Sequence, residues 1–362
     1  IMLWAGAYPD IFESYKADFT AKEYTLIMNH RSAPRLLEIQ KIANNYLQDV
    51  PFYPIANPRW TEDEGVAEIW YFKNSISEAE YIAERIEELI SHQQISPRDI
   101  CIVVKQTAQK FTDEINSALE EGDIQFRNEA TFQDLLKEDI VILILNTLKS
   151  ALDTKNSDAW SFIWNAKIFF EGKSGTANIH SIDELKRKLK VQLKIVKESL
   201  QTITHQEALD VLLTDIVNFY DINKLRKHYL QYSQGDYINK LREELTKYLF
   251  QYYVIKNKWI SAIDSFQGYD SIPIMTIHKS KGLEFEAVFF VGFDDNAFWT
   301  FSFQKEEDTC TFFVGLSRSK KYLYFTFSEN RFGKINTHNN IAPLYKILKE
   351  SKIVEERYIG FN

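Results

Sequence analysis

Two apolar runs flank residue 280 and restrict the fold more than any other part of the chain. Ile274, Met275 and Ile277 make up the first, and Ala287 to Val291 make up the second, with no polar break. Short runs of β-branched and aromatic residues suit strands buried on both faces, and such strands belong to parallel sheets covered by helices on each side. Between them lies His278-Lys279-Ser280-Lys281-Gly282-Leu283-Glu284-Phe285, which holds cations, a hydroxyl, a glycine and a carboxylate. Loops that follow the strands of a parallel sheet sit at its ligand-binding rim. On spacing alone this loop reads equally well as a solvated turn closed by glycine or as a site.

Other segments extend the pattern. Tyr24–Met28, Ile69–Phe72, Ile100–Val104, Ile124–Phe126 and Tyr322–Phe327 read as strands. Leu36, Leu37, Ile39, Ile42, Ala43 and Tyr46 fall at helical spacing, as do Ile82, Ile86, Leu89 and Ile90 within Glu78–His92. Lys110–Glu121 reads as a helix stopped near Gly122, and Asp139–Leu152 as an apolar helix. Alternation of strand and helix argues for an α/β fold with a parallel sheet, whose members Tyr24–Met28, Ile100–Val104, Ile274–Ile277, Ala287–Val291 and Tyr322–Phe327 are expected side by side. From about Thr154 to Phe266 the alternation fades, and Ile182–Leu200, Gln206–Tyr220 and Tyr237–Lys256 read as helices rich in Lys, Glu and Leu. The expected organisation is a leading segment 1–20, a sheet domain in two parts, 21–153 and 267–362, and a helical insertion 154–266.

Composition narrows the function. With 45% hydrophobic and 26% charged residues, the chain is ordinary globular material. No apolar run spans a bilayer, no signal-peptide pattern opens the chain, and Cys101 and Cys310 are too few for a disulfide framework, so no membrane partner and a cytoplasmic setting are expected. No Cys/His cluster has zinc spacing, so no protein-held metal site is expected. A net charge of −8 means that any nucleic acid must meet a local basic or aromatic track. Lys186-Arg187-Lys188 and Lys224-Leu225-Arg226-Lys227 are basic clusters, each read first as a solvated helix face. Gly172-Lys173-Ser174 has the tail of a P-loop, but Lys167 stands where the first glycine must be.

Thr276-x-His278-x-x-Lys281-Gly282-Leu283-Glu284-Phe285 resembles motif V of the UvrD/Rep/PcrA family of superfamily 1 DNA helicases. Further matches follow in the family's order. Ile1-Met2-Leu3-Trp4-Ala5-Gly6-Ala7 resembles the second half of motif III, with Met2 in place of the usual tyrosine and Ala5 in place of the usual arginine. Asn29-His30-Arg31-Ser32 resembles motif IV, with His30 in place of the aromatic that stacks on adenine. Val314-Gly315-Leu316-Ser317-Arg318-Ser319-Lys320-Lys321 resembles motif VI, and Arg331-Phe332-Gly333 the element after it. The helical insertion is matched by position only.

The resemblance implies a second RecA-like domain (2A-like) interrupted by a 2B-like helical domain. It implies Arg31 and Arg318 as catalytic arginines at the γ-phosphate of ATP. It also implies His30, Gly282 and Glu284 beside them at the nucleotide, and Trp4, Thr276, His278 and Phe332 along single-stranded or duplex DNA. ATP and Mg²⁺ are the implied cofactors, with the metal held mainly by a P-loop half that these residues do not contain, so this stretch alone is expected to be inactive. The implied activity is that of the C-terminal part of an ATP-driven DNA helicase or translocase of 3′→5′ polarity, acting in DNA repair. An alternative is the ATPase subunit of a nuclease-associated antiviral complex of the Gabija type, with a nuclease subunit as partner. An alternative of another class is a non-catalytic DNA- or protein-binding module. The loop Phe298-Trp299-Thr300-Phe301-Ser302-Phe303 is expected to cover the core or meet a partner.

Overall fold

The computed structural model describes residues 11–47, 53–172, 179–233 and 235–361. Among them the strands are β1 (Met28–Asn29), β2 (Ile55–Ala56), β3 (Val66–Asn74), β4 (Ile100–Val104), β5 (Phe126–Asn128), β6 (Ile272–Thr276), β7 (Phe285–Val291), β8 (Ser319–Arg331), β9 (Lys334–Ile335) and β10 (Glu355–Ile359). The first helices are α1 (Ile11–Phe19), α2 (Pro34–Asn45), α3 (Ser75–Ser91), α4 (Ala108–Glu121), α5 (Glu129–Leu136), α6 (Asp139–Leu152) and α7 (Ser157–Phe170). They are followed by α8 (Ile179–Thr202), α9 (Gln206–Phe219), α10 (Ile222–His228), α11 (Tyr237–Lys256), α12 (Trp259–Phe266), α13 (Lys305–Leu316) and α14 (Ala342–Glu350).

The chain forms two compact units, one from residues up to Ala130 together with Asp270 onward, the other from Thr131 to Tyr269. The first is built on a sheet of order β10-β3-β8-β7-β4-β6-β5, parallel throughout, with β9 turning back antiparallel on β8. All of Ile100–Val104 and nearly all of β7 are buried, as strands covered on both faces must be. Side chains alternate between the faces. On one, Trp70 stacks on Tyr324 at 4.5 Å between ring centres and takes the edge of Tyr81 from α3 at 4.8 Å. On the other, Phe290 and Phe325 lie 5.2 Å apart beneath Phe312 of α13.

Gly315 lets α13 reach that second face. A Cβ there would come 2.7 Å from Cε2 of the buried Phe290 ring. Alanine normally stabilises a helix relative to glycine by about 1 kcal/mol. Here overpacking outweighs that gain, so Gly315→Ala is expected to destabilise this unit by about 1–3 kcal/mol. The denaturation midpoint checks this, and an unchanged or raised midpoint refutes it.

Four expected strands lie in the sheet, but Tyr24–Met28 does not. Residues 21–27 have no regular structure, and β1 pairs only with β2 in a separate two-stranded sheet. Leu26 is 88% exposed, so nothing packs on the segment to reward an extended ladder. The sheet edge beside β3 is taken instead by β10, a strand with little apolar signal.

The second unit also begins earlier than Thr154. Helix α6 buries Ile140, Val141, Ile144, Leu145 and Leu148 in a helical core with α8, α9, α11 and α12. It is apolar around most of its circumference, and such a helix needs helices on several sides. In the same core Trp259 stacks on Tyr253 at 3.7 Å and donates its indole N–H to the Leu200 carbonyl at 2.7 Å.

Candidate nucleotide half-site and its opposite edge

The register shows which residues share an edge of the sheet. Thr276 pairs with Val104 and Val104 with Val291, whereas Ile100 pairs with Ala287. Strand β6 therefore ends at the carboxyl edge of the sheet, and β7 begins at the amino edge. The loop between Thr276 and Phe285 descends the sheet, a distance on the order of 20 Å at about 3.3 Å per residue. Thr276 and exposed His278 stand at one edge, and Glu284 stands at the other. The loop does not stay at the carboxyl rim, because the chain must cross the sheet to start the next parallel strand.

Arg31 and Arg318 both reach the amino edge. Asn29 Oδ1 accepts the backbone N–H groups of Arg31 and Ser32, each at 2.9 Å, fixing the turn before α2. Ser32 Oγ donates to the Ser319 carbonyl at 3.0 Å, and the Ala33 N–H to the Lys320 carbonyl at 2.8 Å. These bonds tie the start of α2 to the start of β8, where Arg318 stands. Arg31 Nε donates to Glu284 Oε2 at 2.9 Å and Nη1 to the Ser317 carbonyl at 2.9 Å. Lys320 Nζ lies 3.4 Å from Glu284 Oε1 and 3.5 Å from Glu286 Oε1, across a register shift between Phe285 and Ala287. The hydrogen bond from Arg31, with help from Lys320, lowers the Glu284 carboxyl pKa.

Arg318 is not an open, solvent-facing guanidinium. It is 8% exposed and donates to the carbonyls of Val314 at 2.9 Å and Leu283 at 3.0 Å and to Ser317 Oγ at 2.8 Å. Burial, then repulsion from Arg31, pushes its pKa down to about 10, still high enough to keep the cation at neutral pH. Gly282 has φ +86° and open space around a would-be Cβ, so its role is conformational: it turns the loop so that the Leu283 carbonyl meets Arg318. Arg31, Ser317 and Arg318 line a cavity of about 350 Å³ with Gln40, Asn44 and Phe313. His30 is next to this cluster in sequence, but its ring nitrogen Nδ1 pairs with Asn57 Nδ2 at 2.8 Å.

At the carboxyl edge, Phe332 and Gly333 form the turn between β8 and β9, with φ of +56° and +69°. Two positive φ values mark a type I′ turn, which favours Asn and Gly, so a bulky aromatic at its first position is an outlier. Phe332 is 37% exposed, meets Phe111 edge-on at 5.4 Å and has Lys110 Nζ 4.5 Å over its ring. Arg331 beneath it is fully buried against Glu78, which is also fully buried, with Asp294 Oδ2 3.9 Å from its Nε. Sequence inspection missed this cluster and a second one, in which buried Lys105 pairs with Asp308 at 2.7 Å and donates to Thr300 Oγ1 at 2.5 Å. Their one visible signal was a charged residue directly after an apolar strand, Lys105 after β4 and Asp294 shortly after β7. Phe298 and Phe301 are buried in the core, whereas Trp299 and Phe303 are exposed and 5.7 Å apart. Trp4, Met2 and Ala5, and Lys173 and Ser174 of the P-loop-like stretch, lie outside the described residues. Among the described residues no three His, Cys, Asp or Glu side chains gather as a metal site, and no helix is long and apolar enough to cross a membrane.

Comparison with known proteins points to one family. The family described as UvrD-like helicase C-terminal domain matches residues 24–258 and 179–330. A probable DNA helicase II homolog of Mycoplasma pneumoniae is 27% identical over 371 residues, 90% of this chain and 48% of that protein. DNA helicase II of Rickettsia typhi is 26% identical over 380 residues, covering 91% and 54% of the two chains. ATP-dependent DNA helicase PcrA of Bacillus subtilis is 24% identical, covering 93% and 51%. The chain thus spans about half the length of the curated relatives it matches. With a parallel sheet, motif residues assembled from distant segments and a family match over most of its length, the chain belongs to the UvrD-like helicase C-terminal domain family.

Proposed function

We propose that this chain is the C-terminal part of an ATP-dependent DNA helicase or translocase of 3′→5′ polarity, supplying Arg31 and Arg318 to the γ-phosphate and part of the single-strand track. The observation that carries this reading is that Arg31 and Arg318 line one cavity at the amino edge of the sheet, with Glu284 hydrogen-bonded to Arg31 beside it. Arginine suits the task because it stays charged and presents a planar fork. Val314, Ser317 and Leu283 hold Arg318 in place, so little reorganisation accompanies the growth of charge on a phosphate. Glu284 bonds Arg31 here; once a ribose hydroxyl engages the carboxylate, Arg31 is released to turn toward phosphate. Arg31 and Arg318 would meet the terminal phosphate of ATP, whose hydrolysis by water would supply the free energy for strand movement. In this reading Mg²⁺ would be held by a P-loop half, as the family resemblance implies. A non-catalytic module has no use for a buried, desolvated arginine beside a second arginine. The setting of such a motor is cytoplasmic, and its partner is DNA.

The exposed Trp299–Phe303 pair favours a second reading, an ATPase that senses DNA beside a nuclease subunit in antiviral defence. Strand displacement from a 3′-tailed duplex by the complete protein with ATP supports the first reading. DNA-dependent turnover without displacement supports the second, and no DNA-dependent turnover overturns both.

Phe332 offers a separate test of the DNA track. Phe332→Asn is expected to ease the type I′ turn and so leave or raise thermal stability, while single-strand affinity falls by about 1–3 kcal/mol. Thermal melting beside fluorescence anisotropy reads the two effects apart. Unchanged affinity refutes base stacking at Phe332.

A further inference from the structure

The helical unit from Thr131 to Tyr269 contains a cavity of about 650 Å³, a size typical of small-ligand sites. One wall is a face of α8. Lys186, Lys190, Lys194 and Lys197 line it, at helical spacings of three and four that bring them to one side. Lys155, from the turn between α6 and α7, adds a fifth ammonium group. Among the described residues, Lys155, Lys186, Lys190 and Lys197 have no carboxylate partner, and Lys194 has only an exposed contact with Glu198 at 3.8 Å. The chain as a whole carries −8, so this concentration of unpaired positive charge runs against its overall balance. Beneath the ammonium groups the walls are apolar: Leu193 and Ala151 are buried, and half-buried Trp160 lies parallel to Trp164 at 6.4 Å.

We propose that this cavity binds a nucleoside polyphosphate, with its base against Trp160 and its phosphates among Lys186, Lys190 and Lys194. Successive lysines of an i, i+4 row stand about 6 Å apart along a helix, close enough for three to share one short polyanion. Bringing a compact polyanion to the mouth relieves the mutual repulsion of these cations. A nucleic-acid strand is the poorer occupant, because successive bases need successive aromatic platforms, and Trp160 is the single aromatic among the lining residues. An acidic peptide has no flat group to match the indole. At the same rim Thr154 and Ser157 offer hydroxyls for ribose and base edges, Asn156 caps α7 by accepting the Ala159 N–H, and Asp153, which accepts the Lys155 N–H, is the one carboxylate among the lining residues. This site lies in a different unit from Arg31 and Arg318 and does not rest on the reading given to them.

The test is a tryptophan-fluorescence titration of the 362-residue chain carrying Arg31→Ala and Arg318→Ala, so that the other nucleotide reading contributes nothing. The probes are ATP, GTP, inorganic tripolyphosphate and a short oligothymidylate. A saturable quench by ATP or GTP is expected, absent in Trp160→Phe and at least about tenfold weaker in Lys190→Glu/Lys194→Glu. Both lysines are exposed, so the variants are expected to fold, which circular dichroism checks. No saturable quench, or equal affinity in the lysine variant, overturns the site. Tripolyphosphate binding as tightly as the nucleotides removes the role of Trp160, and tighter binding of oligothymidylate makes the groove a strand track instead; either overturns the assignment.

Discussion

Arg318→Ala in the complete protein is expected to lower DNA-stimulated ATP turnover by about a thousandfold or more, the scale of arginine contributions to phosphoryl transfer. ATP binding is expected to weaken much less, because the guanidinium acts mainly on charge that develops in the transition state. Arg318→Lys is not expected to rescue turnover. Three of the acceptors around Arg318, the Val314 and Leu283 carbonyls and Ser317 Oγ, are spaced for a fork, and a single ammonium cannot meet them together. The alanine variant leaves those acceptors with fewer donors, so nucleotide binding and thermal melting must be measured beside turnover. Near-normal turnover in a folded Arg318→Ala protein removes the basis for calling this chain part of an ATP-driven motor.

The second large effect is on stability. Arg331→Met leaves Glu78 and Asp294 buried without their cation and is expected to cost about 3–5 kcal/mol, the range for breaking one side of a buried ion pair. The loss should depend on pH. Burial raises the Asp294 pKa, while Arg331 and the N–H of Ala297 lower it, so removing Arg331 raises it further. A carboxyl group whose folded pKa lies above its unfolded value near 4 contributes stability below that value and loses it as pH rises through the folded pKa. The deficit of Arg331→Met relative to the parent is therefore expected to be smallest near pH 4 and to grow toward neutrality. Urea unfolding at several pH values checks it, and a deficit that shrinks as pH rises refutes the assignment. In the same variant Phe332 loses the anchored residue before it, so single-strand affinity should fall as well.

Much of this molecule was legible in its residues. The fully apolar Ile100–Val104 and Ala287–Val291 can be little other than covered strands, and α11 runs from Tyr237 to Lys256 as its periodicity predicts. The motif residues Arg31, Gly282, Glu284 and Arg318 were visible one by one, because residue type and local spacing are properties of the chain itself. Their arrangement was not. Arg31 and Glu284 are 253 positions apart, as are Glu78 and Arg331, and no local pattern announces either pair. Periodicity tells which face of an element is buried but not which neighbour buries it. For that reason Tyr24–Met28, strand-like in composition, stays outside the sheet while polar β10 joins it, and apolar α6 packs in the helical unit. The crossing of the Thr276–Phe285 loop from one edge to the other follows from strand order, which is decided only when distant strands pair. The sequence by itself determined the covered strands, the longer helices and the family; tertiary structure decided partners, edges, the fate of Tyr24–Met28 and β10, and the burial of Arg318, because those depend on contacts between residues far apart in the chain.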